Sequence, residues 1–294
     1  MAVTNISKLS GGAGELDGLV LTPVRNEILQ SAYPHHLVRR LADFELDREG
    51  GMTKGMPYSN TVAFTQVAEA VAATYTAFDV DKDTVTFTKK VLKYPVSNES
   101  VAYGAGAVDQ QIKVEAGIAY AGYLNAQAAD VVNAITANDV GLGGAACTAD
   151  AFAEARAKLI GSPGQIVCQI HPEHYSQLIG AKSLSEIAGN AWNEAIMAGP
   201  RALYVGTLAG IDMYLDATAN GTGATAKSAI YARAGLTLKI KQTALPAWIY
   251  ANGELALGIP WEDEFAAHVV SAIFFSGMVV RRGGAWVSNI VTGV

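Results

Sequence analysis

The sequence predicts an α+β fold in which thin appendages are attached to a well-filled core. Three observations carry this expectation. A run of about forty residues, 97–136, repeats apolar positions with the 3.6-residue period of a helix. A mixed region of short helices and strands follows it, and the chain closes in β-branched and aromatic runs separated by glycines. Ahead of the helix lie a Gly-rich start and two strands separated by a long insert.

Half of the 294 residues are apolar and only 16% are charged, so a sizeable core is expected, with little charge left to cover a free monomer. The formal net charge of -6 argues against a protein built to neutralise phosphates. Its basic pairs, Arg39-Arg40, Lys89-Lys90 and Arg281-Arg282, are scattered along the chain. Two cysteines, Cys147 and Cys168, are too few for a disulfide framework or a Cys-rich metal site, and a reducing compartment fits. Met1 to Leu9 lacks the charged start and apolar run of a secretory signal. No stretch reaches the roughly 18 to 20 uncharged apolar residues of a membrane span. The closest, Val269 to Val280, is short, contains Ser271, Ser276 and Gly277, and reads as buried or interface strand.

Residues 1–18 are rich in Gly, Ser and Asn and form an arm that needs a partner to become ordered. From Leu19 to Leu46 short apolar clusters alternate with Pro23 and Pro34, and only His35 to Leu41 is expected to turn helically. A boundary is expected at Gly50-Gly51. Met52 to Asn60 and Thr84 to Thr88 are strands, and the Ala-rich insert Thr61 to Asp83 between them makes a projecting loop. Pro95 ends the second strand.

Ser97 is positioned to cap the long helix, with Asn98 and Glu99 in its first turn. One apolar stripe runs through Val101, Ala105, Val108, Ile112, Ala116, Ala119, Tyr123 and Ala126, and Val114, Ile118, Ala121, Leu124, Ala128, Val131 and Ile135 widen it. Asp109 and Lys113 stand four apart in the favourable order. Gly104 and Gly106 weaken the first turns, so the ordered helix is expected to begin near Val108.

After Gly141 to Gly144 come a helix capped by Thr148, a strand from Gln165 to Ile170, and helices over Glu173–Ile179 and Leu184–Ala198. Tyr204–Val205 and Ile211–Leu215 are short strands, and a Gly/Thr/Ala-rich loop spans Thr218–Thr225. Ile230–Ala232, Leu236–Ile240, Phe265–Phe275 and Trp286–Val291 supply the closing strands.

This order of parts resembles the major capsid proteins of tailed bacteriophages, whose Hong Kong 97-type fold is shared with encapsulin shells and herpesvirus capsid floors. The resemblance spans nearly the whole chain. Its residues are Val67-Ala68-Glu69-Ala70, Phe87-Thr88-Lys89-Lys90-Val91, and Val96-Ser97-Asn98-Glu99 leading into the long helix. Thr148 to Leu159, Ile166 to Ile170 and His171-Pro172-Glu173-His174-Tyr175 match a second stretch; Gly206 to Ile211 and Ser276 to Val280 match two more. The order and spacing carry the weight, since none of these is a strict signature alone.

The resemblance implies an amino-terminal arm (1–46), an extended β-hairpin loop (47–95), a peripheral domain with a long spine helix (96–140 and 251–294) and an axial α/β domain (141–250). It implies a structural subunit without catalytic residues or cofactor, which assembles with itself as hexamers and pentamers of an icosahedral virion shell in the host bacterial cytoplasm. Partners would be a portal, a decoration protein in some shells, and packaged double-stranded DNA touched weakly; no membrane is involved. The long helix begins so early that no leading scaffold segment fits before it, so a separate scaffolding protein is expected. Residues marked for assembly are Glu69, Lys89 and Lys90 in the loop, with Gly50, Gly51, Gly143 and Gly144 as hinges. In some relatives a loop lysine forms a covalent bond to a neighbour, but ordinary salt-bridge or solvated roles are the stronger expectation for Lys89 and Lys90.

An encapsulin-type compartment is the nearer alternative, and a small α/β enzyme or binding domain a remote one. His171-x-x-His174 has no acidic ligand at a familiar spacing, and capping or surface roles are expected for both imidazoles. No Gly-x-Ser-x-Gly elbow is present, and Glu262-Asp263-Glu264 are consecutive, which splays their carboxylates apart.

Overall fold

The computed structural model describes residues 15–59, 80–96, 107–180, 204–216, 225–242, 245, 250–258, 261–262 and 267–293. Glu69, the proposed cap Ser97 and the expected helix 184–198 lie outside them. Among the described residues there are five α-helices and three sheets.

The spine is α3 (Ala107–Asn133), whose 27 residues span about 40 Å. Its buried face is rotated from the expected stripe. Ala116, Tyr120, Ala121, Leu124, Ala128, Ala129 and Val132 are buried, whereas Val114 and Ile118 are 47% and 39% exposed. The helix is apolar on most of its circumference, so periodicity fixes its existence more firmly than its azimuth.

The largest departure from expectation is α1 (Glu15–Ala32), a helix of 18 residues that runs through Pro23. An interior proline costs a helix about 3 kcal/mol, which is why the segment read as irregular. Packing on α3 outweighs that cost. Ile28 and Ala32 are buried against the spine, and Ser31 Oγ donates to the Ile28 and Lys113 carbonyls at 2.8 and 3.3 Å. Gly117 makes the close approach possible, since a Cβ there would stand 2.5 Å from the Ile28 carbonyl oxygen. Lys113 pairs with Glu27 of α1 at 2.8 Å.

A 3-10 turn (Tyr33–His35) and the short α2 (Val38–Leu41) follow. Buried Asn125 holds this corner: its Oδ1 accepts from Val38 N–H at 3.2 Å and its Nδ2 donates to the His35 carbonyl at 2.8 Å. Arg39 Nη1 donates to both carboxylate oxygens of Glu254, at 2.8 and 2.9 Å, and the Tyr120 hydroxyl donates to the same carboxylate at 2.9 Å.

The first sheet is built around one strand. Running order along its main path is β1 (Asp43–Asp47), β10 (Leu236–Lys241), β14 (Ala267–Val280), β12 (Ala256–Gly258), β11 (Tyr250–Ala251), while β4 (Thr88–Val96) and β13 (Trp261–Glu262) also pair with β14. β14 is longer than Phe265–Phe275 suggested, because Gly277 continues the strand where β3 (Val80–Thr86) crosses it closely. The sheet packs α1 and α3 through Leu236, Leu238, Ile240, Leu257, Phe274 and Met278.

The second sheet has the order β5 (Val140–Gly141), β15 (Val287–Val291), β9 (Lys227–Ala232), β6 (Ile166–Ile170), β8 (Ile211–Leu215), β7 (Tyr204–Leu208). Alternation sorts its faces. Cys168, Ile170, Ile230 and Ile290 pack with Phe152 and Leu159 at α4 (Ala149–Lys158) and Leu178 of α5 (Pro172–Gly180). Val167, Ala229, Tyr231 and Val287 face the spine. Thus β10 and β15 each belong to the sheet farther away in sequence, and the two cores are stitched together.

Candidate assembly surfaces

β2 (Thr53–Ser59) and β3 form a two-stranded ribbon, paired antiparallel from Thr53↔Thr86 to Ser59↔Val80. It belongs to neither large sheet. Two strands alone are marginal in water, so the ribbon's direction depends on its root. There Gly277 lets β3 cross β14: a Cβ would meet Val85 Cγ1 at 2.5 Å and the Thr86 carbonyl oxygen at 2.8 Å. Asp83 accepts from the Arg282 backbone N–H at 3.0 Å and lies 3.6 Å from Arg281 Nε.

On the other side of the root, Lys54 reaches Asp47 at 3.2 Å and Glu49 at 3.0 Å. Lys239, 2% exposed, reaches Glu45 at 2.5 Å, and Lys241 donates to the Gly51 carbonyl. Exposed ion pairs contribute little, but a buried ammonium such as Lys239 or a buried carboxylate such as Asp47 requires its partner. Burial works to raise Asp47, yet the Glu49 N–H and the Lys54 ammonium outweigh it and hold the carboxyl below its usual range.

The structure separates the residues marked in the sequence. Lys89 is exposed and Lys90 half-buried on successive positions of β4, so they point to opposite faces. Lys90 Nζ sits 4.9 Å from the Tyr123 ring centroid. Gly50 and Gly51 lie beside the ribbon root, the latter at φ +99°. Gly143 and Gly144 stand at φ +58° and +81° in open space, where the Gly144 N–H donates to the Thr292 carbonyl at 2.7 Å.

An apolar groove of about 230 Å³ lies between α3 and the β4–β14 pair, floored by Leu92, Tyr120, Tyr123 and Phe274. Val91, Val114 and Ile118 are exposed apolar side chains on the same two elements, and Ile160 and Ile179 lie exposed on the second core, at 81% and 48%. Among the described residues no group of three or more His, Cys, Asp and Glu could hold a metal, and no helix is long and apolar enough to cross a membrane. Both cysteines are free and buried; burial pushes the Cys147 thiol up to about 12 and Cys168 well above its usual value.

The two histidines of the 171–174 pair are structural, and His174 is no surface residue. His171 Nδ1 accepts from the Glu173 N–H at 3.2 Å at the start of α5, where Pro172 occupies a position that needs no donor. His174 is fully buried between Ser228 Oγ at 2.7 Å and Thr292 Oγ1 at 2.8 Å. Ser228 already accepts the His171 N–H and Thr292 donates to the Ala226 carbonyl, so the chain of bonds favours the neutral Nε2–H tautomer. This clamp ties the last strand to α5, and its hydroxyl partners, more than fifty residues away in sequence, gave no signal.

Burial lowers His174 to about 4, with His171 opposing its charge as well; burial and then Arg39 lower His36 to about 4. Below pH 6.5 the unfolded chain binds protons that the folded chain refuses. Stability held above pH 6.5 therefore falls toward pH 4, by on the order of 3 kcal/mol for each histidine. Urea unfolding across this window is expected to show the decline, and His174→Gln to flatten it. An equally steep profile in the variant excludes His174 as a source.

No family model matches the sequence, and no curated protein matches it. Solved structures do. The capsid of cyanophage P-SCSP1u matches at TM-score 0.62 and 14% identity, over 85% of this chain and 86% of that one. The mature capsid of bacteriophage PhiM1 matches at 0.61 and 12%, over 87% and 86%. The holo-SrpI encapsulin complex from Synechococcus elongatus matches at 0.58 and 12%, over 90% and 89%. The chain thus has a shell-forming fold. It is the Hong Kong 97-type capsid fold, found in phage capsids and in an encapsulin alike.

Proposed function

We propose that this protein is the major capsid protein of a tailed phage, forming hexamers and pentamers of an icosahedral shell that encloses double-stranded DNA. The observation that carries the reading is the β2–β3 ribbon, which joins neither large sheet and meets the body through Val85, Asp83, Pro57 and Tyr58, beside a core that leaves Val91, Val114, Ile118 and Ile160 exposed. Ordering such an appendage costs about 1 to 2 kcal/mol per residue, which burial against neighbouring copies offsets. The net charge of -6 suits a wall that must not grip packed DNA.

In this reading the shell is assembled in the bacterial cytoplasm with a separate scaffolding protein, a portal and, in some shells, a decoration protein. The arm, loop, peripheral and axial divisions follow the boundaries 1–46, 47–95, 96–140 with 251–294, and 141–250, with β10 and β15 exchanged between the last two. Glu69, Lys89 and Lys90 serve contacts between copies, and the subunit itself performs no catalysis. Microscopy and nuclease digestion of particles from the producing host test this. Closed shells with protected double-stranded DNA support it, and a compact monomer at high concentration overturns it.

The likeness to the SrpI encapsulin supports a second reading, a compartment around cargo protein. Particles with protein cargo and no protected DNA favour that one. Gly50, Gly51, Gly143 and Gly144 act as hinges between hexamer and pentamer environments. At the positive φ of Gly143 and Gly144 an L-residue costs about 1 kcal/mol or more. The double change Gly143→Ala, Gly144→Ala is therefore expected to alter shell size or lower particle yield in microscopy; unchanged particles remove the hinge.

A further inference from the structure

The face of the second sheet that meets the end of the spine carries an unusual density of buried polar atoms. Gln169 on β6 and Asn289 on β15 both lie opposite Ala229 of β9 in register, so the two amides flank one small side chain on the same face. Tyr231 is the next residue of β9 on that face, and Lys227 the previous one. Asn133, the last residue of α3, lies above this strip, because Lys227 Nζ donates to its carbonyl at 3.4 Å. Gln169, Tyr231 and Asn289 are fully buried and Asn133 is 8% exposed.

Their orientations are fixed by the bonds they do make. Asn289 Nδ2 donates to the carbonyls of Val132 and Ile135 at 3.3 and 2.7 Å, and to Asp139 Oδ1 at 2.9 Å, capping the spine's carboxyl end. Gln169 Nε2 donates to Asp216 Oδ2 at 3.1 Å. That commits each amide oxygen to face elsewhere. Asn289 Oδ1, Gln169 Oε1, the Tyr231 hydroxyl and both polar atoms of the Asn133 side chain have no protein partner among the described residues. Burial, with Asp216 and then Cys168 and Tyr214 nearby, holds the Tyr231 phenol protonated, so its O–H is a donor seeking an acceptor.

Five such atoms gathered at one interface call for partners other than the neighbouring side chains. A cation fits poorly, since the Lys227 ammonium stands at the same strip and Tyr231 offers a proton. We infer that this joint is a binding site for a small cluster of buried water molecules, which bridge Asn133 of the spine to Gln169, Tyr231 and Asn289 of the sheet. Water suits the donors and acceptors present, because each molecule offers two of either kind. The cluster adds exchangeable bonds to the direct ones from Asn289 and Lys227 and to the apolar contacts of Val167, Tyr231 and Val287 that already hold the spine on the second sheet. The inference rests on the fold alone and is independent of what the shell encloses.

A map of the assembled protein at better than 2 Å tests it, together with Tyr231→Phe in urea unfolding. At least two isolated spherical densities within about 3.2 Å of the Asn133 and Gln169 polar atoms are expected. Tyr231→Phe removes a bridged hydroxyl and is expected to lower the unfolding midpoint. A site filled by side chains of 181–203 or 217–224, or a midpoint that holds or rises in Tyr231→Phe because an unpaired hydroxyl was deleted, overturns the inference.

Discussion

Gly117→Leu detaches the amino-terminal helix from the spine. The Cβ that leucine adds would collide with Ser31 Oγ and lie 2.5 Å from the Ile28 carbonyl oxygen and 3.0 Å from the Ala32 nitrogen. The serine hydroxyl can rotate away, but the backbone of α1 cannot. Separation exposes Ile28 and Ala32, breaks the Lys113–Glu27 pair and leaves Pro23 without the packing that offsets its cost. A loss of about 3 to 5 kcal/mol is expected, at the severe end for one substitution. Hydrogen exchange should show residues 24–32 losing protection while Leu124 and Ala128 keep theirs. Retained protection over 24–32 would mean that α1 is held by contacts other than those on Gly117.

Gly277→Val is expected to act on assembly more than on folding. Its Cβ would collide with Val85 Cγ1 and the Thr86 carbonyl, pushing β3 off β14 where the ribbon leaves the body. The β10–β14 pairing spans this point and the β4–β14 pairing runs up to Ser276 beside it, so the sheet survives. The ribbon does not keep its direction, because Asp83 is drawn away from Arg281 and the Arg282 N–H. Sedimentation should show a folded subunit, with far-UV dichroism near that of the parent, whose particle yield falls at least tenfold. Normal particles would show that the ribbon is aimed by its neighbours and not by its root.

Much of this architecture is legible in the chain. The spine announces itself through a long apolar period rich in helix formers, and β6 and β14 through compact β-branched and aromatic runs. Met52–Asn60 matches β2, but β3 begins at Val80, inside the expected insert Thr61–Asp83, because alternating Asp81, Lys82 and Asp83 read as loop until Met56, Pro57 and Tyr58 pair with them. Other parts are hidden for identifiable reasons. Pro23 masks α1, since local propensity opposes what packing on Gly117 and Ala121 permits. Strand β1 gave no strand signal because Glu45 and Asp47 find Lys239 and Lys54 only in the fold; Glu45 and Lys239 are 194 positions apart. The azimuth of the spine is ambiguous because Val114 and Ile118 are as apolar as the residues that are buried. The exchange of β10 and β15 between sheets leaves no mark in either strand's composition.

The placement of β14 has a mechanical consequence. It is bonded along one edge to β4 over nine consecutive positions, and along the other to β10, β12 and β13. Those bonds run perpendicular to the strand. Tension along β14 therefore loads them together, in shear, whereas a pull across the sheet would open them one at a time.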